Sequence, residues 1–165
     1  MRYKELVKAP DFLTLGNLTL GVLSIIFSIK KDFNTAATMM IAAVFLDFLD
    51  GRVARMMRRE GNFGKELDSL CDLVSFGVAP AIFVYQAEVY SILTLIILVF
   101  FVCAGALRLA RFNITEMKDY YNGLPITNAG WIIPLWYFIR LPYITFVILV
   151  IGILFISPIR IKKVI

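Results

Sequence analysis

The chain has 165 residues, 60% of them hydrophobic, and its mean hydropathy is +0.82. Soluble domains contain about 45–50% apolar residues, so this composition excludes an ordinary soluble domain and indicates a membrane protein. The net charge of +5 does not indicate nucleic-acid binding, because the basic residues flank apolar runs and no soluble domain presents them. We expect membrane lipids with anionic head groups, or an anionic substrate, as partners instead.

Six apolar runs follow one another along the chain, and most approach the roughly 20 residues that a helix needs to cross a bilayer. They cover residues 12–29, 35–50, 66–86, 90–107, 124–139 and 142–157. We therefore predict an all-α integral membrane protein, with residues 1–165 forming a single domain, a six-transmembrane-helix bundle. Only Arg140 and Pro142 interrupt the last two runs, so these could instead form one bent or re-entrant element.

The basic residues indicate the orientation of the bundle. If both termini are cytoplasmic, only three of the 17 Lys and Arg residues, Lys30, Lys31 and Arg140, lie in outer segments. Cytoplasmic segments of membrane proteins carry the excess of basic residues, so we predict a multi-pass protein of the cell membrane with both termini in the cytoplasm. The first eleven residues, MRYKELVKAPD, contain no short apolar core followed by a cleavage site, so we expect no cleaved signal peptide.

Cysteine and histidine usage restricts the chemistry. Cys71 and Cys103 lie in apolar runs without C-x-x-C spacing, which favours packing roles over a disulfide framework or a zinc site. Histidine is absent from the sequence, which removes the usual general base and the commonest transition-metal ligand. Acid–base chemistry must therefore come from carboxylates, lysine or tyrosine.

Four aspartates are concentrated in the stretch DFLDGRVARMMRREGNFGKELDSLCD. They are Asp47, Asp50, Asp68 and Asp72. The residues REGN, 59–62, predict a turn between two antiparallel helices, in which Asp47 lies level with Asp72 and Asp50 with Asp68. Spacings of three and four residues place the acids of each helix on one face. We therefore expect the four carboxylates to converge just below the cytoplasmic surface.

Four carboxylates that converge inside a membrane carry a free-energy cost that other charges must offset. One aspartate at the bilayer centre costs about 2.5–3.5 kcal/mol, so four cost on the order of 10 kcal/mol before repulsion is counted. One or two divalent cations would offset both costs, and oxygen ligands favour Mg²⁺ or Mn²⁺. Gly51, Ala54 and Gly64 leave room for an anionic ligand, and Arg55 could bind a phosphate. Alternatively, the small residues only allow close helix packing, and the acids pair with arginines.

Written as a pattern, the stretch is D-x-x-D-G-x-x-A-R-(x)8-G-x-x-x-D-x-x-x-D. It resembles the signature of the CDP-alcohol phosphotransferase family, integral membrane enzymes of phospholipid synthesis. The fixed positions are Asp47, Asp50, Gly51, Ala54, Arg55, Gly64, Asp68 and Asp72. Cys71 stands where we expect a small, alanine-like residue, a change that leaves the acidic positions intact.

The resemblance implies a six-helix fold, usually a homodimer, and a site with two divalent cations, Mg²⁺ or Mn²⁺. It implies that Asp47, Asp50 and Asp68 hold the metals and that Asp72 contributes to them. Asp72 is also implied as the base for the attacking hydroxyl. Residues Gly51, Ala54, Arg55 and Gly64 would shape the site of the CDP-linked lipid.

The residues around the signature resemble the phosphatidylserine synthase branch of the family. The similar stretches are GKELDSLCDLVSFGVAPA (64–81), LRLARFN (107–113) and GLP (123–125). This resemblance implies CDP-diacylglycerol or an archaeal ether equivalent as donor and L-serine as acceptor. Arg108, Arg111 and Asn113 could bind the serine, although the arginines could instead anchor the helix at head groups. Asn17 could contact the cytidine, or form a helix–helix hydrogen bond.

Three other functions compete with this interpretation. A sister enzyme could use glycerol 3-phosphate or inositol phosphate, with Arg108, Arg111 and Lys118 forming a basic pocket. A cation carrier would need polar residues through the whole depth of the bundle, and the outer half, for example 90–102 and 143–157, is almost entirely apolar. An intramembrane aspartyl protease is disfavoured because its G-x-G-D pattern is missing.

Overall fold

The computed structural model describes residues 9–56, 62–88, 91–114, 120–158 and 160–162. The helices are α1 (Ala9–Ile29), α2 (Phe33–Met56), α3 (Asn62–Asp72), α4 (Ala79–Ala87), α5 (Ile92–Ile114), α6 (Thr127–Phe138) and α7 (Ile144–Ile156). A π-helical segment, Leu73–Val78, joins α3 directly to α4. Two three-residue strands, β1 (Tyr120–Asn122) and β2 (Arg160–Lys162), pair antiparallel. The described chain is otherwise helical and connected by turns.

Each of the six apolar runs contains helix, which confirms the helical fold class. The last two runs form separate helices, because Arg140 and Tyr143 adopt left-handed backbone conformations, with φ of 56° and 63°, in the connection between them. α6 has 12 residues and α7 has 13. At 1.5 Å per residue they are about 18 and 20 Å long, shorter than the roughly 30 Å hydrocarbon core of a bilayer.

Three of the described helical stretches are long and apolar enough to cross a membrane. These are Asp11–Ile29, Phe63–Ala87 and Ile92–Ile114. Composition and helix length together therefore describe a membrane protein with several spans. The count of six spans and the orientation of the termini stay predictions.

α1 and α2 form an antiparallel hairpin. Lys31 takes a left-handed conformation in the turn, with φ of 61°, and the carboxylate of Asp32 then accepts a hydrogen bond from the backbone N–H of Thr35 at 3.2 Å. This is a helix N-cap. Further along, the buried Ser24 hydroxyl donates to the carbonyl of Ala36 at 2.9 Å. Small side chains on this face allow the two backbones to approach closely.

Aromatic rings join three helices at the end of the bundle where α2 begins. The ring of Phe83 lies edge-on to Phe33 and to Tyr137, with centroids 5.5 and 5.3 Å apart. The Tyr137 hydroxyl donates to Asn34 Oδ1 at 3.3 Å. Asp47 lies about 21 Å further along α2 at 1.5 Å per residue, so the acidic residues belong to the opposite end of the bundle.

At that opposite end, the last turns of α5 and the later residue Gly123 both contact the end of α7. Arg111 Nη2 donates to the carbonyl oxygens of Phe155 and Ser157 at 3.3 and 3.4 Å. Gly123 has a φ of 79°, and a Cβ at this position would lie 2.7 Å from the Phe155 oxygen. The glycine of the GLP stretch is therefore required by both its conformation and its close contact.

The contact of α6 with α2 gives a test of the packing. A Cβ on Gly130 would lie 2.6 Å from Val44 Cγ2 and 2.7 Å from Phe76 Cδ1, and overpacking of this kind costs about 1–3 kcal/mol. We expect Gly130→Ala to lower the thermal unfolding midpoint in detergent micelles. Gly51→Ala is the control, since a Cβ at Gly51 meets nothing within 4 Å and its midpoint should not fall. An unchanged midpoint for Gly130→Ala would contradict this packing.

Candidate metal centre

Three aspartates meet between α2 and α3. Asp47 and Asp50 from α2 and Asp68 from α3 each offer a carboxylate oxygen, and these oxygens all lie within 4.8 Å of one another. The acids of α2 are three residues apart and share a face of the helix, and Asp68 approaches them from the neighbouring helix. The structure thus brings together three of the four acids that the helix spacing predicts to converge.

Asp72 lies one turn further along α3 than Asp68 and stands beside this three-oxygen cluster. Its side chain is 7% exposed, and its carboxyl group lies within hydrogen-bonding reach of the Asp47 carboxyl. This neighbourhood agrees with the predicted level pairing of Asp47 and Asp72. Asp72 is therefore a neighbour of the cluster, although its carboxylate is not one of the three that form it.

α1 also contacts Asp72. Asn17 Nδ2 donates to Asp72 Oδ1 at 3.2 Å, and the Asn17 side chain has no exposed surface. The hydroxyl of Ser75 donates to the backbone carbonyl of Asn17 at 3.2 Å. The observed contact of Asn17 is thus a helix–helix hydrogen bond, and a contact with cytidine stays a prediction.

Sequence reasoning missed two further residues of α1 at the site. Thr14 lies within hydrogen-bonding reach of the Asp50 carboxyl, and Asp11 Oδ1 is 3.1 Å from the position that a Cβ on Gly64 would take. Both side chains are buried. The signal was present, because polar residues recur every three positions, at 11, 14 and 17, in an otherwise apolar run, and this spacing places them on one helix face.

Besides Asn17, the predicted donor-site residues are Gly51, Ala54 and Arg55 on α2 and Gly64 on α3. Gly51 follows Asp50 on α2, and a Cβ at this position would meet no atom of the described residues within 4 Å. Ala54 and Arg55 lie on the last turn of α2, and their side chains fall outside the described part of the structure. Residues 57–61, which include most of the predicted turn, also lie outside the described residues.

The three predicted acceptor residues lie on the last turns of α5. Arg108 is buried, with its guanidinium carbon 5.9 Å from the ring centre of Phe112. Arg111 makes the contacts with the end of α7 described above. Asn113 joins α5 to α3, because its carbonyl accepts from Lys65 Nζ at 2.8 Å and its Oδ1 accepts from Ser69 at 3.2 Å. Arg111 and Asn113 therefore make contacts between elements, and a contact with serine stays a prediction for all three.

The residues of the cluster fit a hard divalent cation. Asp50 Oδ2 is buried and accepts no hydrogen bond within the described part of the chain, and a buried carboxylate oxygen without a partner costs free energy that a cation would offset. The three ligands are all carboxylate oxygens, which Mg²⁺ and Mn²⁺ prefer. Among the described residues, no second group of acidic or cysteine side chains is placed in this way.

A cavity of about 360 Å³ opens beside the cluster, between α2 and α6. Its lining residues are Val44, Phe45, Asp47, Phe48, Thr127, Asn128 and Trp131. The volume falls within the roughly 300–1,000 Å³ of small-molecule sites. Asp47 borders both this cavity and the cluster of acids, so a ligand in the cavity would reach the acids directly.

The fold and the site define an integral membrane protein whose helices hold a carboxylate cluster suited to divalent cations. Over residues 7–164 the sequence matches the CDP-alcohol phosphatidyltransferase family. The match covers nearly the whole chain, and the chain belongs to this family. The resemblance of the acidic stretch to the family signature is thereby confirmed.

Individual relatives carry names from serine phospholipid synthesis. The chain is 39% identical over 165 residues to archaetidylserine synthase of Methanothermobacter thermautotrophicus. This alignment covers 96% of the chain and 71% of that protein. It is 40% identical over 131 residues to CDP-diacylglycerol–serine O-phosphatidyltransferase of Helicobacter pylori. This alignment covers 76% of the chain and 55% of the Helicobacter protein. The enzyme of the same name from Bacillus subtilis is 38% identical over 125 residues, and this alignment covers 73% of the chain and 70% of the Bacillus protein. The chain thus spans between little more than half and seven tenths of these relatives.

Metal binding can be measured as a shift in the temperature of thermal unfolding. In chelator, Asp50→Asn should unfold at or above the wild-type temperature, because it removes one of three mutually repelling charges. Added Mn²⁺ should raise the wild-type midpoint, as a ligand at 100 times its Kd stabilises by about 2.7 kcal/mol, and should raise that of Asp50→Asn much less.

The control for this measurement is Asp32→Asn, at the exposed start of α2. Asparagine keeps the side-chain oxygen that caps the helix, and the position is remote from the cluster. This variant should show the full Mn²⁺ shift. A full shift in Asp50→Asn as well would show that the cluster does not bind the ion.

Proposed function

We propose that the chain transfers the phosphatidyl group of a CDP-linked lipid to the hydroxyl of L-serine and releases CMP. The observation that carries this proposal is the meeting of Asp47, Asp50 and Asp68, with Asp72 beside them, in a member of this family. The donor is CDP-diacylglycerol or an archaeal ether-lipid equivalent. The names of the relatives favour serine over glycerol 3-phosphate or inositol phosphate as the acceptor.

The three clustered carboxylates would hold the divalent cations, Mg²⁺ or Mn²⁺, with Asp72 contributing from the side. Two such cations, when bound, neutralise the diphosphate and stabilise the leaving phosphate. The oxygen-only ligand set supports this assignment, as does Asp50 Oδ2, which has no hydrogen-bond partner among the described residues. Donor binding is assigned to Gly51, Ala54, Arg55 and Gly64, and the open space at Gly51 supports close approach of the diphosphate.

In the transfer itself, the serine hydroxyl oxygen forms a bond to the phosphorus that carries the lipid. The bond from this phosphorus to the oxygen of CMP breaks, and CMP leaves with the electron pair. The hydroxyl proton passes to the carboxylate of Asp72. Asp72 suits the role of base because it stands beside the three-oxygen cluster and is held in place by Asn17.

Serine binding is assigned to the polar end of α5. Serine is a zwitterion, so its carboxylate needs a donor, and a guanidinium provides a forked pair of N–H groups. The three candidates are Arg108, Arg111 and Asn113, and two of them, Arg111 and Asn113, also join α5 to other elements. Arg111 and Asn113 would then fix the end of α5 around the acceptor.

The proposed arrangement in the membrane is a six-span homodimer with both termini and the active site at the cytoplasmic face. Lys30 and Lys31 lie in the α1–α2 turn and Arg140 in the α6–α7 turn, at the end of the bundle away from the aspartates. This distribution agrees with the excess of basic residues in cytoplasmic segments. Homodimer formation is taken from the usual state of the family.

The acceptor assay tests the function directly. Purified protein with CDP-diacylglycerol and Mn²⁺ is offered radiolabelled serine, glycerol 3-phosphate or inositol phosphate in separate reactions. We expect label in lipid only from serine, one CMP released per lipid formed, and no product in excess chelator. Label from a phosphorylated acceptor alone would contradict the proposal.

The role of Asp72 has its own test. Asp72→Asn should lower the turnover number by about 10²–10⁴-fold, the usual contribution of a general base, while CDP-lipid binding measured in micelles persists. The comparison is Asp50→Asn, which should lose both turnover and the Mn²⁺ shift in stability. Retention of most of the rate by Asp72→Asn would show that another group accepts the proton.

A further inference from the structure

One side chain of α1, that of Asn17, donates a hydrogen bond directly to the proposed base, Asp72. We propose that Asn17 is a positioning residue for the transfer, whose side-chain amide fixes the Asp72 carboxylate towards the acceptor hydroxyl. This inference rests on the proposed function, in which Asp72 takes the hydroxyl proton. It assigns Asn17 a role through Asp72 rather than through the donor nucleotide.

The hydrogen bond between Asn17 and Asp72 is buried and joins two helices that are distant in the sequence. Asn17 Nδ2 donates to Asp72 Oδ1 at 3.2 Å, across 55 positions of sequence. Both side chains are buried, with 0% and 7% of their surface exposed, so water does not compete for the bond. The amide of Asn17 binds Asp72 Oδ1, and we assign the proton of the acceptor hydroxyl to the other carboxylate oxygen.

A second contact fixes the backbone of Asn17 relative to the same helix. The hydroxyl of Ser75, which is fully buried, donates to the Asn17 carbonyl at 3.2 Å. One turn further along α1, a Cβ on Gly21 would lie 2.8 Å from the Cα of Ser75, so the two backbones touch at a glycine. Ser75 belongs to the π-helical segment that begins directly after Asp72, and such segments are frequent at functional sites.

The hydrogen bonding of Asn17 differs from that of its neighbours on α1. Asn17 Oδ1 is buried and has no hydrogen-bond partner among the described residues, whereas the hydroxyls of Ser24 and Ser28 donate to backbone carbonyls at 2.9 and 2.8 Å. Buried polar groups that serve packing are normally satisfied. A half-satisfied amide beside the proposed base indicates a role in the site.

The test compares Asn17→Leu, which keeps the approximate size and removes the donor, with Ser24→Ala, which removes a buried bond of α1 remote from the acids. We expect the kcat of Asn17→Leu to fall roughly 10- to 100-fold, because misplacing a reacting group by about 1 Å can cost about 10²-fold. The KM values for serine and CDP-lipid, and the Mn²⁺ shift in unfolding temperature, should stay near those of the wild type. Ser24→Ala should keep its kcat.

Two variants keep the inference testable if Asn17→Leu does not fold. Asn17→Gln retains an amide donor and should keep more of the kcat than Asn17→Leu or Asn17→Ala at equal folded fraction. Ser75→Ala releases the backbone of Asn17 and should lower kcat by a smaller factor. In neither variant should the KM for CDP-lipid change.

The outcomes separate this inference from the proposed function. A raised KM for CDP-lipid with unchanged kcat in Asn17→Leu would overturn it in favour of donor binding. A kcat equal to that of Ser24→Ala would overturn it in favour of packing alone. If the wild type uses an acceptor other than serine, the serine assignment fails, and the same kcat comparison with that acceptor still decides the role of Asn17.

Discussion

Mutual repulsion among the clustered carboxylates is the constraint on which the site depends. Two unit charges 4 Å apart repel by about 4 kcal/mol at an effective dielectric constant of 20, and Asp47, Asp50 and Asp68 bring their oxygens within 4.8 Å in an apolar bundle. A fold that holds three acids together in this way needs a compensating charge. Bound divalent cations would supply that charge, and the cluster would then attract a diphosphate.

The rest of the bundle places and supports this cluster. The hairpin of α1 and α2 lays a buried polar face of α1 along the acids, and Asn17 on that face reaches Asp72. The end of α5 is joined to α3 by Asn113 and to α7 by Arg111. Gly130 allows α6 to pack closely on α2, which positions the wall of the cavity beside Asp47.

The sequence predicts the helices and the acids well, because both depend on local pattern. Long apolar runs produce helices almost anywhere in a membrane protein, and spacings of three and four residues place Asp47 and Asp50 on one face whatever the partner. The π-helical segment was not predicted, and neither was the tertiary contact of its residue Ser75 with α1. The contacts of Arg111 and Asn113 were also not predicted. Residue type and spacing show which face of a helix a side chain lies on, but they do not show which other helix packs against that face. The buried polar face of α1 could have been predicted from the three-residue spacing of Asp11, Thr14 and Asn17.

The measurement that tests this account most directly is a crystal structure of the protein grown with Mn²⁺ and recorded at a wavelength where manganese scatters anomalously. We expect anomalous density between the carboxylates of Asp47, Asp50 and Asp68. Side chains that point away from one another, or manganese density only at other places in an active preparation, would contradict it.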